Sequence, residues 1–318
     1  MGTFRFKKFD VINERSAMRV NTDGVLLGAA MTITAHDRRL LDIGTGTGTI
    51  ALMAAQRLLE APGQAGSDVR SAGSDVGSAG SDGSQAGNDG SQAGNDWTPN
   101  GSASLLEQSG RTLIRRADCN REQQLLPEAV SEGNDNDVMI DAIDIDEPSA
   151  SEAAANFKNS PWADSLTAYN MSLDVFAEAL SQQPECRYDL IFSNPPYFED
   201  SLTATDERKS TARHTSVGLS YRDIFEFATS RLSDNGRVSL VLPADQEAAV
   251  CRYARMSGLH LLRILRVRTV PRKAPSRMIV EFSRHRVDQP EDTVLTIQNE
   301  GQYTQEYLSL TKDFYLFA

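Results

Sequence analysis

The sequence is poor in cysteine and has no long apolar run. Only three cysteines occur in 318 residues, at Cys119, Cys186 and Cys251, and none shares a CxxC spacing. The sequence therefore predicts neither a disulfide framework nor a zinc site, and we expect no metal. No stretch approaches about 18 consecutive apolar residues, and no apolar run follows the basic N-terminus MGTFRFKKFD. We therefore expect a soluble, unexported, cytoplasmic protein without a membrane partner.

Basic residues are also outnumbered. Lys and Arg total 32 against 44 Asp and Glu, which gives a formal net charge of −12. Spread evenly, this charge argues against a nucleic-acid partner, because phosphates bind to positive surfaces. The hydrophobic share of 40% still supplies a core for one large domain or two ordinary ones.

The acidity is concentrated in a repetitive segment. From Ala65 the dipeptide Ala-Gly recurs every seven residues, and each copy is followed by an aspartate: Asp68, Asp75, Asp82, Asp89 and Asp96. A coiled coil would need large apolar residues in each heptad, and a calcium-binding β-roll would repeat every nine residues. We expect a largely disordered, low-complexity surface insertion at 62–137, which interrupts a single domain formed by 1–61 and 138–318. The insertion has 12 acidic and five basic residues, so −7 of the net charge lies within it and −5 outside.

Removing the insertion restores a nucleotide-binding pattern. In RRLLDIGTGTGTIALMAAQRLLE, residues 40–43 predict a buried strand, Gly44, Gly46 and Gly48 a turn, and the remainder a helix. The next predicted strand, VMIDAIDID, contains Asp144, which lies 96 residues after Gly48, or 20 without the 76 inserted residues. That corrected distance is typical of a carboxylate that accepts hydrogen bonds from a ribose diol. A glycine-rich turn alone has a purely structural alternative.

The form of the turn indicates the kind of cofactor. It reads GxGxG rather than GxGxxG, and its strand ends in Asp42. An acid at this position suits a cationic cofactor without phosphates better than a pyrophosphate. S-adenosylmethionine has that character.

A second motif follows a later predicted strand. After residues 188–192 come Asn194, Pro195, Pro196 and Tyr197, and two prolines cannot continue a strand. In an open α/β sheet this carboxyl edge binds ligands. The Asn194 side-chain oxygen and the Pro195 carbonyl could each accept an N–H of an exocyclic amine, which orients its lone pair for methyl transfer. Tyr197 or Phe198 could stack on a base taken out of its stack. The alternative is a strand that simply ends in a proline turn.

These motifs resemble known enzymes. DIGTGTG, AIDID and SNPPYF are similar to class I S-adenosylmethionine-dependent methyltransferases that act on planar amino groups. FKKFDVINERSAMRVNTDGVLLGAA and ARHTSVGLSYRDIFEFATSRLSDNGRVSLVLPAD resemble the tRNA1(Val) adenine-N6 methyltransferase family, whose members modify the adenosine next to the anticodon of a valine tRNA. The resemblance implies an α/β, Rossmann-like, seven-stranded and mostly parallel sheet with helices on both faces and a C-terminal antiparallel hairpin.

The resemblance also implies roles for single residues. Thr22 and Asp23 would begin a helix that closes over the methionine end of the cofactor, although they also suit a simple helix start. Asp42, Gly44, Gly46, Gly48 and Asn194 would contact the cofactor, and Asp144 would bind its ribose. Asn194, Pro195, Pro196 and Tyr197 would hold the adenine. Further candidates are Asp174, near the cofactor's adenine ring, and the pair Arg213 and His214, which could instead contact phosphate or solvent.

A basic stretch near the C-terminus restores RNA as a partner. Residues 260–286 contain eight arginines and lysines and only one acid, Glu281. ILRVRTV and MIVEF predict the last two strands of the sheet, joined by the loop PRKAPSR. We expect Arg272, Lys273 and Arg277 to contact tRNA, against the alternative of a solvated basic loop. The aromatic residues of FRFKKF could contact single-stranded RNA or could form a strand that covers the core.

The sequence therefore predicts an S-adenosylmethionine-dependent tRNA adenine-N6 methyltransferase. Two alternatives remain open. One is another methyltransferase with the same motif that acts on rRNA, DNA or a protein glutamine, and the other is a non-catalytic, cofactor-binding RNA scaffold. The sequence does not specify the oligomeric state, and a monomer is the default expectation.

Overall fold

A computed structural model describes residues 2–16, 18–60, 137–196 and 219–317. The predicted insertion at 62–137 lies outside this part of the chain, apart from Asp137. The helices are α1 Thr22–Ala30, α2 Thr49–Leu59, α3 Glu147–Lys158, α4 Leu173–Ala179, α5 Tyr221–Arg231, α6 Glu247–Met256 and α7 Gln305–Thr311.

The strands comprise one large sheet and two short pairs. They are β1 Thr3–Arg5, β2 Asp10–Ile12, β3 Arg39–Ile43, β4 Met139–Asp144, β5 Leu166–Asn170, β6 Tyr188–Ser193, β7 Leu232–Pro243, β8 His260–Arg268, β9 Arg277–Ser283, β10 Glu291–Thr296, β11 Gln298–Asn299 and β12 Gln302–Tyr303. Within the described residues, the large sheet runs β5-β4-β3-β6-β7-β9-β8-β10, and only β9 is antiparallel to its neighbours.

The order of the strands places a ligand-binding edge at β3. The chain proceeds outward from β3 to β4 and β5, then returns to β6 on the other side of β3. Ligands of open α/β sheets bind beyond the carboxyl ends of the strands at such a reversal. The loops that follow β3 and β6 therefore meet at one point.

The predicted hairpin is confirmed, whereas the strand count is wrong. β8 and β9 pair antiparallel, as expected, but they are not the last strands, because β10 adds an eighth strand parallel to β8. Among the residues of β10 only Leu295 and Thr296 are buried. An edge strand with so short an apolar pattern gives a weak sequence signal.

Helices cover both faces of the sheet, as predicted. On one face α1, α2, α3 and α7 bury side chains such as Leu27, Leu52 and Phe157. On the other face α4, α5 and α6 bury Phe176, Phe225 and others. The central strands β3 and β6 are buried on both sides, which explains their nearly continuous apolar sequences.

The aromatic residues of the N-terminus belong to the core. β1 and β2 form an antiparallel pair, and Phe6 and Phe9 in their connection are 3% and 6% exposed. The Phe6 ring stacks on Phe9 at 4.6 Å and lies 6.1 Å from the Tyr315 ring. Phe4 packs beside them and is partly buried. Of the two alternatives, the one in which these residues cover the core is confirmed, and contact of Phe6 or Phe9 with RNA is excluded by their burial.

Three further features of the described residues concern membrane-spanning helices, metal-ligand groups and disulfides. Among the described residues no helix is both long and apolar enough to cross a membrane, and no group of three or more His, Cys, Asp or Glu side chains is arranged around a common metal position. Cys186 and Cys251 are free thiols, whereas Cys119 lies outside the described residues.

Replacement of Phe6 tests its structural role. We expect Phe6→Ala to lower the free energy of unfolding by about 3–5 kcal/mol, because it removes a fully buried ring and leaves a cavity. Phe4→Ala should cost clearly less, since that ring is only partly buried. Urea unfolding gives both values. Equal small losses, combined with weaker RNA binding by the folded Phe6 variant, would contradict the core assignment.

Candidate active site

A cleft opens at the carboxyl edge of β3 and β6. Its walls come from the segment before α1, the start of α1, the glycine loop after β3 and the residue after β6. The lining residues are Met18, Arg19, Val20, Asn21, Gly24, Gly44, Thr45, Gly46, Thr47, Thr49, Ile50 and Asn194. The structure thus brings two of the three predicted glycines and the predicted catalytic asparagine into one cleft.

The three glycines adopt backbone conformations that other residues rarely tolerate. Their φ angles are 72° at Gly44, 57° at Gly46 and 79° at Gly48. A Cβ atom on Gly46 would lie 3.3 Å from Met18 across the cleft, whereas one on Gly48 would lie 2.5 Å from the Phe157 ring. Gly44 and Gly46 therefore keep the cleft open. Gly48, also predicted to bind cofactor, instead allows close packing of α2 on α3.

Asp144 supports the glycine loop from below. Its Oδ2 accepts a hydrogen bond from the Gly46 amide at 2.9 Å, and its Oδ1 accepts one from the Asp146 amide at 2.9 Å. Burial raises the pKa of Asp144, and these two bonds oppose that shift. Asp144 is not among the lining residues, but it lies directly behind one of them. Each carboxylate oxygen has a second lone pair, so both can still accept a bond from a diol.

Asp42 lies deeper than its prediction as a cofactor-binding residue implied. Its side chain is fully buried, does not line the cleft, and accepts a hydrogen bond from Thr45 Oγ1 at 2.7 Å. Burial raises the pKa of Asp42 to about 7, with a smaller contribution from the charge of Asp144. Asp42 can therefore influence a ligand through the loop above it rather than by contact.

Asn194 is fixed by the pairing of β6 with β3. The neighbouring Ser193 Oγ donates a hydrogen bond to the Ile43 carbonyl at 2.6 Å, which joins the two strand ends. Asn194 itself is 9% exposed, Pro195 is buried and Pro196 is exposed. The other predicted contacts to the base lie outside the described residues: Tyr197, Phe198, Arg213 and His214.

The segment before α1 is held by α3, a role that the sequence reasoning missed. The buried Glu152 carboxylate accepts hydrogen bonds from the amides of Glu14, Arg15 and Ser16, the shortest at 2.6 Å. The Asn156 side chain pairs with both backbone groups of Ile12 and also donates to the Thr47 carbonyl at 2.9 Å. The sequence signal for this role was the pair Glu152 and Asn156, two polar residues spaced four apart among alanines. Nothing in the sequence identified their partners.

The helix predicted at Thr22 and Asp23 is confirmed. α1 begins at Thr22, and the preceding Asn21 caps it by accepting a hydrogen bond from the Gly24 amide at 2.8 Å. Asp23 does not line the cleft; its Oδ2 accepts a bond from Arg277 Nε at 2.9 Å. This contact joins the start of α1 to β9. Asp174 is exposed in the first turn of α4 and also does not line the cleft.

The basic C-terminal stretch is partly neutralised. Arg263 contacts Glu281 and Glu291, and Arg266 contacts Glu247 and Asp292. Arg272 and Lys273, in the loop between β8 and β9, are exposed. The predicted RNA surface is therefore smaller than the run of basic residues suggested, and it centres on this loop.

Comparison with known proteins identifies first the fold and then the family. No family model matches the chain. A solved structure described as a predicted O-methyltransferase from Agrobacterium tumefaciens superposes with a TM-score of 0.51, covering 92% of this chain and 96% of that one at 13% identity. Together with the strand order, this likeness defines the fold as that of a class I methyltransferase.

Curated relatives are closer in sequence. A protein named tRNA1(Val) (adenine(37)-N6)-methyltransferase from Flavobacterium psychrophilum is 30% identical over 313 residues, spanning 98% of this chain and 99% of the relative. A protein of the same name from Flavobacterium johnsoniae is 31% identical over 314 residues, with 98% and 99% covered. The chain belongs to the tRNA1(Val) (adenine(37)-N6)-methyltransferase family.

The buried Asp42 gives a pH-dependent signature. Because its pKa is higher in the folded than in the unfolded state, the folded protein binds more protons between about pH 4 and pH 7, and stability falls as the pH rises. Asp42→Asn cannot ionise at this position, so its free energy of unfolding should rise relative to that of the unmodified protein as the pH increases. We expect this relative change to reach about 4 kcal/mol between pH 4 and pH 8. Urea unfolding across this range measures the difference. A difference independent of pH would show that Asp42 is readily ionised in the fold.

Proposed function

We propose that this protein transfers a methyl group from S-adenosylmethionine to the N6 amine of adenosine in tRNA. The observation that carries the proposal is the shared cleft, in which the glycine loop after β3 and Asn194 after β6 line the same space. Methyl transfer requires that the methyl donor and the amine lie in contact, and a cleft lined by both motifs allows this. Membership of the family supports tRNA as the substrate.

The residues present fit S-adenosylmethionine. Side chains are absent at Gly44 and Gly46, where a Cβ atom would lie 3.3 Å from Leu219 and Met18, respectively. Asp144, behind Gly46, offers two carboxylate oxygens for the ribose hydroxyls. When bound, S-adenosylmethionine supplies a methyl group on a positively charged sulfur.

The chain's own contribution to the reaction is positioning. Asn194 Oδ1 and the Pro195 carbonyl would accept the two N–H groups of the adenine amine, so that its lone pair is directed at the methyl group. Both residues are buried, which strengthens these hydrogen bonds by excluding water. Pro196, which is exposed, and the aromatic residues Tyr197 and Phe198 would hold the face of the base.

The wider tRNA contact would involve the loop between β8 and β9. Arg272 and Lys273 are exposed there, and Arg277 joins the loop's end to Asp23 at the start of α1. Arg213 and His214 would add contacts near the base. By analogy with the named relatives, the target is the adenosine next to the anticodon of a valine tRNA. We expect the protein to act in the cytoplasm as a monomer.

A transfer assay tests the activity and its target. Purified protein is mixed with S-adenosylmethionine labelled in its methyl group and with total tRNA, and the labelled nucleotide is mapped by nuclease digestion. We expect label in N6-methyladenosine of one tRNA. Label on guanine or on protein would overturn the adenine assignment, and cofactor binding without transfer would favour a scaffold.

Asn194 should be essential for turnover. We expect Asn194→Ala to reduce kcat on the order of 10²-fold or more, because the amine loses an acceptor and its orientation. Cofactor affinity, measured by calorimetry, should change much less. Asn159→Ala, at the exposed end of α3, is the matched control and should keep full activity. Full activity of the Asn194 variant would refute the positioning mechanism.

The loop between β8 and β9 should govern tRNA affinity. We expect Arg272→Ala combined with Lys273→Ala to raise KM for tRNA about tenfold and to reduce the slope of log affinity against log salt by about 1.5–2. kcat should change little, since neither residue lines the cleft. Arg252→Ala combined with Arg255→Ala removes the same charge from the exposed side of α6 and serves as control. Equal effects of the two pairs would indicate only a general charge effect.

A further inference from the structure

The cleft has a single ionisable side chain among its lining residues. Of the twelve residues, eleven are apolar, glycine, threonine or asparagine, and the other is Arg19. Arg19 lies in the N-terminal segment that resembles the family, but no role was predicted for it. Its charge matters because the acids Asp144 and Asp42 lie behind the glycine loop and do not line the cleft.

The main chain around Arg19 is fixed on both sides. The Arg19 carbonyl accepts a hydrogen bond from Asn21 Nδ2 at 3.1 Å, and the Val20 amide donates to Asn13 Oδ1 at 3.3 Å. On the other side, the Met18 amide donates to Ser16 Oγ at 3.2 Å. These contacts, with those of Glu152 to the preceding amides, hold the backbone of Arg19 against the cleft before any ligand binds.

The guanidinium of Arg19 is available to a ligand. Within the described part of the chain it has neither an ion pair nor a hydrogen bond, and the residue is exposed. Neighbouring arginines differ. Arg15 lies 3.8 Å from Glu147, and the Arg57 guanidinium donates to the carbonyls of Gly28 and Met31. The backbone of Arg19 is therefore held in place, while its guanidinium has no partner among the described residues.

We propose that Arg19 binds the α-carboxylate of the methionine portion of S-adenosylmethionine. This inference rests on the proposed function. Apart from its positive sulfur and amine, the only charged group of that cofactor is this carboxylate, and Arg19 is the only cation that lines the cleft in the described residues. With the ribose near Asp144 and the methyl group near Asn194, the methionine end extends toward the segment 18–21. A guanidinium binds a carboxylate through two parallel hydrogen bonds.

Removal of the carboxylate and of the arginine gives a paired test. The ligands are S-adenosylmethionine and its decarboxylated analogue, which keeps the adenosine, sulfonium and amine. The proteins are the unmodified chain, Arg19→Gln, Arg19→Lys and the control Arg15→Gln. Titration calorimetry measures each affinity without turnover, and thermal unfolding verifies that each variant is folded.

We expect Arg19→Gln to weaken S-adenosylmethionine binding by about ten- to a hundredfold, as for the loss of a hydrogen-bonded charge pair. Binding of the decarboxylated analogue should stay within about twofold or become tighter, because the analogue has only positive charges. Arg19→Lys should recover part of the loss, and Arg15→Gln should match the unmodified protein.

Other outcomes would overturn the assignment. Equal loss for both ligands, or no loss for either, would show that Arg19 does not contact the carboxylate. Unchanged affinities with a raised KM for tRNA would assign Arg19 to an RNA phosphate instead. If the unmodified chain binds S-adenosylmethionine but Arg19→Gln binds it equally well, only this inference fails. If the unmodified chain binds neither ligand, the proposed function fails with it.

Discussion

The side chain of Asn156 joins the glycine loop, one wall of the cleft, to β2, from which the chain leads into the other wall. From α3 it pairs with both backbone groups of Ile12 and donates to the Thr47 carbonyl in the glycine loop. These walls come from different parts of the chain, and neither the segment 18–21 nor the loop is held by regular secondary structure of its own. Asp144, at the end of the preceding strand, holds Gly46 from the other side. The β4–α3 unit is therefore the support on which the geometry of the cleft depends.

The sequence predicted the parts of the site that local chemistry determines. Glycines with positive φ, prolines that end a strand and apolar runs buried on both faces each leave a mark within a few residues of chain. Glu152 and Asn156 leave only a weak mark, because their partners lie more than 100 residues away in the chain. A polar residue on a helix is usually solvated, so only the fold shows that these two are buried. The eighth strand was missed for a related reason, since β10 buries too few residues to produce a pattern.

Net charge was a poor guide in both directions. More than half of the excess of acid lies in 62–137, and the remaining residues carry only −5. The basic run in 260–286 is equally misleading, since Arg263 and Arg266 form ion pairs with carboxylates on β9, β10 and α6. Only the placement of charges decides which surface phosphates would meet, and this placement leaves Arg272 and Lys273 as the exposed pair in the loop between β8 and β9.

The positions of the charged groups around the cleft also indicate which ligand it binds. Asp42 and Asp144 lie behind the glycine loop and do not line the cleft, so the wall formed by this loop consists of glycine and threonine residues. Arg19, in the segment before α1, is the one cationic residue among those that line the cleft in the described part of the chain. A ligand with a positive sulfur, two ribose hydroxyls and a terminal carboxylate matches this arrangement along its length. A pyrophosphate would meet buried acid where it needs donors, and for this reason a GxGxG loop preceded by an aspartate favours S-adenosylmethionine over a dinucleotide.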